Sequence, residues 1–164
     1  MTENVLVRLF EHNNWANQEI IRVCLDLTDE QLDARPRSVT KGTIRQTLMH
    51  LVSAQRRYLA LLTLPMEERP NTPLAFDEVV QVANDSGSRL LTLIDKDGEA
   101  KGREIQTSDG YLVDPWVVLL QAINHADEHR EQISSMLTDL GLTPPRLDGW
   151  SFGDVQGALL PLAP

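Results

Sequence analysis

The sequence predicts an all-α protein, a four-helix bundle with a small β-hairpin before its last long helix. Three observations carry that reading. Four stretches of about 20 to 26 residues place apolar side chains at 3-to-4-residue spacing, enough for helices of roughly 30 to 39 Å. Capping signals, prolines and glycines stand at their ends. An Asp-Gly pair sits between two short β-prone runs just ahead of the fourth stretch.

The first helix is expected from Thr2 to Leu27, with Val5, Leu9, Ala16, Ile20, Val23 and Leu27 as its buried stripe and Asn13 as the one amide on it. Thr28-Asp29-Glu30-Gln31 is a capping-box pattern for a short helical turn, stopped near Arg35-Pro36. Thr43-Ile44-Arg45-Gln46 repeats the pattern and opens a second long helix that must stop before Pro65. Its inner face reads Thr47, His50, Ala54, Tyr58 and Leu61. Pro65 to Pro73 is a loop crossing to a third helix from Phe76 to Lys96, with Phe76, Val79, Val80, Ala83, Leu90, Leu91 and Ile94 inward and Gly98 at the cap. Ile105, Thr107, Tyr111 and Val113 flank Ser108-Asp109-Gly110, a hairpin signal. Asp114-Pro115 supplies an N-cap and a first-turn proline for the fourth helix, which ends at Gly141 before Pro144 and Pro145. The tail from Asp148 to Pro164 is expected to be irregular and to pack back through Trp150, Phe152, Leu159 and Leu160.

Composition bounds the setting. The 164 residues are read as one domain over 1–164, and 41% hydrophobic with 24% charged residues is ordinary for a globular chain. A formal net charge of −9 repels phosphate backbones and anionic lipid, so nucleic acid and membrane are not expected partners. No apolar run approaches the ~20 residues of a membrane span. The one cysteine, Cys24, excludes an intramolecular disulfide and suits a reducing compartment. The first residues lack a signal-peptide layout, so a cytoplasmic location is expected.

The chemistry gathers on histidines. His125 and His129 lie one turn apart on the fourth helix, on the stripe marked by Val118, Ala122, Ile133, Met136 and Leu140, while Asp127, Glu128, Arg130 and Glu131 fall largely on the other side. His50 faces inward on the second helix. A lone inward histidine is ordinarily a core residue bonded to backbone. Three of them, each costing roughly 1–3 kcal/mol if left unpaired, argue for a divalent metal that accepts one lone pair from each ring. Three histidines with an open fourth position is the ligand pattern of catalytic rather than structural zinc, and imidazole also suits nickel, copper and iron. No histidine has a glutamate three positions before it, which excludes the paired Glu-x-x-His of di-iron bundles, and His-Glu-x-x-His is absent as well.

Other residues have plainer readings. His12, beside Trp15 and Arg8 at helical spacing, is read as a surface or supporting residue, Cys24 as core packing, and Arg56-Arg57 as a solvated patch. Asn13, Trp15 and Trp150 are the candidates to line a substrate or cofactor pocket, though packing or a backbone bond would also account for them. No general base is compelled.

These residues resemble the DinB-like (DinB/YfiT) family. The likeness covers nearly the whole chain: His12-Asn13-Asn14-Trp15-Ala16-Asn17, then Leu48-Met49-His50-Leu51 with Ala54, then Asn124-His125 with His129-Arg130 and Gln132, and finally Leu140-Gly141-Leu142 with Pro144-Pro145 and Leu147-Asp148-Gly149-Trp150. The resemblance implies an up-down-down-up bundle holding a divalent metal on His50, His125 and His129, the same three that periodicity selects. It also implies a homodimer. Glu128 and Glu131 stand where the family often has a histidine and a glycine, a departure that touches the surroundings of the site rather than its ligands. Relatives that use low-molecular-weight thiols make a thiol-dependent S-transferase acting on small electrophiles the expected function, with zinc or nickel and such a thiol as cofactors. A metal-dependent hydrolase, or a non-catalytic metal- or small-molecule-binding protein of a stress response, is the alternative.

Overall fold

The computed structural model describes residues 4–37, 42–97 and 104–162. Helix α1 spans Val5–Leu25, with the Asn4 side chain accepting from the Leu6 amide at 3.1 Å. Both predicted capping boxes form: Thr28 with Gln31 opens α2, Asp29–Leu32, and Thr43 with Gln46 opens α3, Ile44–Thr63. The third long helix begins later than its apolar pattern suggests. Phe76–Glu78 is a 3₁₀ turn, and α4 runs Val79–Asp97. The expected Gly98 cap lies outside the described residues.

The hairpin is present, though short. Ile105–Gln106 (β1) pairs antiparallel with Leu112–Val113 (β2), Ile105 opposite Val113. Gly110 takes the positive φ of 91° that the turn needs. Helix α5 runs Pro115–Asp139. Asp114 precedes it in extended conformation, but its side chain makes no cap bond; the Val117 amide is satisfied by the Asp114 carbonyl at 3.0 Å instead. At the other end Gly141 (φ 77°) lets Leu142 N bond Leu137 O at 3.0 Å and Gly141 N bond Thr138 O at 2.9 Å, closing the helix. The tail, expected to be irregular, contains a helix α6, Gly149–Val155, because Asp148 caps it by accepting from Ser151 N at 2.9 Å.

The course of the bundle follows from which ends share a core. One apolar cluster joins Ile20, Ile21 and Cys24 late in α1, Ile44 and Leu48 early in α3, Val79 and Ala83 early in α4, and Ile133, Met136 and Leu137 late in α5. A second joins Phe10 early in α1, Leu59 late in α3, Leu90 and Ile94 late in α4, and Ala122 early in α5. Hence α1 and α5 point one way, α3 and α4 the other, which is the up-down-down-up course. Each of α1 and α3 packs against both α4 and α5, leaving α1 and α3 on a diagonal. Because α3 and α4 are parallel, residues 64–78 must return along the bundle. Buried Leu74 anchors that crossover, Arg69 Nη1 donates to Gln106 O at 2.6 Å, and Arg56 Nη2 donates to Thr72 O at 2.5 Å. Arg56, expected in a solvated patch, therefore holds a backbone segment.

A polar layer separates the two apolar clusters. Arg130 Nη1 donates to Asn13 Oδ1 at 2.8 Å and to Asn17 Oδ1 at 2.7 Å. Asn17 Nδ2 donates to Gln55 Oε1 at 2.8 Å, and Gln55 Nε2 donates to Ala83 O at 2.9 Å and Ser86 Oγ at 2.8 Å. Arg130 is only 2% exposed, contrary to its expected place on the charged outer face of α5. Its guanidinium stays buried because the two asparagines and Asp127, at 3.3 Å, meet its donors. The same layer turns α1: its buried face is Phe10, Asn13, Ala16, Asn17, Ile20, Ile21 and Cys24, so Val5 and Leu9, expected inside, are exposed. On α4, Val80 is likewise exposed while Val79 is buried.

Candidate metal centre

Two helices build the site. His50 comes from α3, and His125 and His129 come from successive turns of α5, which packs along α3. Ala54, one turn after His50, and Ala122 and Ala126, flanking His125, are all buried, and their small side chains leave room for the imidazoles between the helices.

The three rings converge through their Nε2 atoms. His50 Nε2 and His129 Nε2 each lie 3.1 Å from His125 Nε2. One ligating nitrogen from each ring lies within 4.8 Å of the others. With Zn–N bonds of about 2.05 Å, ligand nitrogens at a tetrahedral centre stand about 3.3 Å apart, so the two spacings to His125 suit an ion of that size. The protonation pattern fits as well. Gln132 Oε1 accepts from His129 Nδ1 at 2.8 Å, which puts that ring's proton on Nδ1 and leaves a lone pair on Nε2 aimed at the cluster. A single N–H on His125 Nε2 points along one direction and cannot serve both neighbours. A cation accepts from all three.

Burial grades across the cluster rather than enclosing it. His129 is buried, His125 partly buried and His50 exposed. The expectation that all three face inward is therefore corrected: helical spacing gives a direction around the axis, but His50 lies at the rim of the α3–α5 seam, where solvent reaches its ring. The desolvation argument applies in full to His129 alone. Convergence of three nitrogens now carries the reading.

Sequence reasoning missed one neighbour. The Tyr58 ring stands edge-on to His125 with centroids 5.7 Å apart. Burial raises its phenol above the ordinary range, partly opposed by a hydrogen bond with Gln121, so the hydroxyl keeps its proton at neutral pH. The available signal was its place two turns after His50 on one stripe. Gln132 was visible only as part of a motif; its bond to His129 supplies the role.

The pocket candidates fall in two separate settings. Asn13 belongs to the polar layer, through Arg130. Trp15 packs against His12 and Phe152, with centroids at 5.9 and 5.4 Å, and the His12 Nε2 meets Leu147 O at 2.7 Å, so these residues fasten the tail to α1. Trp150, on that tail, is 74% exposed. Cys24 is fully buried, and burial pushes its thiol up to about 12, consistent with packing rather than reactivity.

Comparison with known proteins bears on fold and family. A crystal structure of a DinB-like protein from Bacillus cereus superposes with a TM-score of 0.65 at 20% identity, covering 86% of this chain and 94% of that one. Another crystal structure, classed with the DinB family and from Exiguobacterium sibiricum, gives a TM-score of 0.64 at 21% identity over 84% of this chain and 90% of that one. At such identities the likeness is one of fold. No curated protein matches the chain. The DinB family model matches residues 1–159, and on that match the chain belongs to the DinB family.

Proposed function

We propose that His50, His125 and His129 hold a divalent metal ion, zinc or nickel, and that the protein is a thiol-dependent S-transferase acting on small electrophiles. The convergence of three Nε2 atoms, with the His129 tautomer set by Gln132, is the observation that carries the metal reading. Such an ion, when bound, supplies the Lewis acidity that makes a thiol nucleophilic near neutral pH. The chain's own residues do the rest. Gln132 keeps the His129 proton off the ligating nitrogen, and the polar layer fixes the rotation of α5 that presents both its histidines to α3. Tyr58 retains a proton beside His125 and can donate a hydrogen bond to a substrate or leaving group. The thiol cofactor rests on family resemblance, and the exposed rim at His50 supports access for it. That same exposure favours a second reading, in which water is the nucleophile and the enzyme is a metal-dependent hydrolase. We place the protein in the cytoplasm as a homodimer; Val5 and Leu9 of α1 and Trp116 and Leu120 of α5, exposed at the same end of neighbouring parallel helices, support a protein contact there.

Two measurements test this. Elemental analysis after gentle purification should find about one ion per chain, against background in the triple variant His50→Ala/His125→Ala/His129→Ala; equal content in both removes the ligand assignment. Metal-loaded protein incubated with low-molecular-weight thiols and electrophiles should form conjugates that vanish in His125→Ala. Conjugates that persist in that variant would sink the transferase reading, and metal binding without any turnover would point to a binding role in a stress response.

A further inference from the structure

We infer that the groove between α3 and α4, beneath the crossover, is a binding site for a small amphipathic monocarboxylate, distinct from the histidine centre. The groove encloses about 310 Å³, at the small end of ligand sites. Arg56 lines it and is the reason to expect an anion. Its Nη2 is used on Thr72 O, its Nε is buried with no hydrogen-bond partner, and among the described residues it pairs with no carboxylate. A buried cationic N–H without an acceptor is unfavourable, and a small shift of the guanidinium towards a ligand oxygen in the groove would relieve it with a charge-assisted hydrogen bond.

The rest of the lining sets the ligand's shape and charge. Leu59, Ala60, Leu64 and Val82 give one apolar wall, which suits a hydrocarbon or aromatic body. Thr63 and Ser86 already donate their hydroxyl hydrogens to Leu59 O and Val82 O, which leaves Arg56 as the donor for a carboxylate. The remaining cation, Arg89, is paired with Asp85 at 3.5 Å, and Glu78 adds a second carboxylate to the lining. With Asp85 paired to Arg89, Arg56 and Glu78 leave the lining formally neutral, so it admits at most a single negative charge and disfavours a polyanion such as a phosphate monoester.

Octanoate is the probe, with octanol as its neutral counterpart. Titrated into the full-length protein, octanoate should bind with a Kd of about 1 mM or tighter, and octanol about tenfold more weakly. Octanoate should also shift the Arg56 Nε–H resonance in ¹H–¹⁵N spectra. Arg56→Met should weaken octanoate about tenfold. Because Arg56 also holds the crossover, Ala60→Phe provides an independent variant that fills the groove and leaves the guanidinium in place; it should abolish binding. The triple-histidine variant should bind octanoate as the parent does. No binding at millimolar octanoate would mean that the groove holds only water and would overturn the proposal. Equal affinity for octanol, unchanged affinity in Ala60→Phe, or loss of binding in the triple-histidine variant would overturn it too, the last by placing the carboxylate at the metal centre.

Discussion

Arg130→Met is the sharpest test of the polar layer. The substitution keeps an unbranched apolar stem but removes the donors that serve Asn13 Oδ1 at 2.8 Å and Asn17 Oδ1 at 2.7 Å. Each buried acceptor left without a donor costs about 1–3 kcal/mol, so the two together cost about 2–6 kcal/mol. Against this, the mutant no longer desolvates a guanidinium, whose pKa is lowered chiefly by burial and only partly restored by Asp127. Relief of that desolvation returns part of the loss; replacing a whole buried ion pair by apolar groups can return about 1–4 kcal/mol. The expected net loss is therefore about 2 kcal/mol, or roughly 4–8 °C in Tm for a chain of this size. The assay is urea unfolding followed by circular dichroism on chelated protein, because a bound ion would stabilise the folded state by mass action and mask the difference. Asn13→Leu combined with Arg130→Met removes one orphaned acceptor and should recover about 1 kcal/mol of what the sum of the single changes predicts. If Arg130→Met is as stable as the parent, or the two changes simply add, the layer does not act as a hydrogen-bonded unit.

Three further outcomes follow from the same contacts. Gln132→Leu frees the His129 tautomer and should weaken metal affinity about 10- to 100-fold with the fold retained, measured by competition with a chromophoric chelator; unchanged affinity would remove its orienting role. Gly87→Ala should destabilise by about 1–2 kcal/mol despite the usual gain for alanine in a helix, since an added Cβ would stand 2.7 Å from Asn14 Oδ1 while Asn14 Nδ2 is bonded to Gly87 O at 2.9 Å; a stabilised variant would show that α1 and α4 can separate locally. Burial raises the Cys24 thiol to about 12, so its contribution is full below the unfolded-state value near 9 and is lost as pH rises through the folded value; stability should therefore fall less steeply with alkaline pH in Cys24→Ala than in the parent, equal slopes would remove the titration, and the native thiol should react with a disulfide reagent only as fast as the fold opens.

Local signals were the legible ones. The capping boxes at Thr28 and Thr43, the Asp109-Gly110 turn, Pro115 and the left-handed Gly141 each act within a few residues, and each formed. The histidine set was legible for a different reason: spacing of four on α5 fixes His125 and His129 on one side, and His50 is the histidine on the side of α3 that α5 meets. What escaped was the depth of each residue. A helical stripe specifies an angle around an axis, so it could not separate His50 at the rim from His129 in the interior. Nor could it show that Arg130 is buried, because charge is ordinarily paired with solvent and its partners Asn13 and Asn17 lie more than a hundred positions away. Asn13, the amide on an apolar stripe, was the trace of that layer, and Asn17 and Gln55 one helix face over were its unread continuation.

The crossover of residues 64–78 has a consequence for how the centre could be divided. It lies between His50 and the α5 histidines, so a single cut there yields one piece with α1 to α3 and another with α4 to α6. Neither piece holds all three histidines, and neither holds the whole polar layer, since Asn13, Asn17 and Gln55 go with the first and Ser86 and Arg130 with the second. On the proposed metal reading, recovery of metal binding from a mixture of the two would report their complementation, making the histidine centre a built-in readout of reassembly.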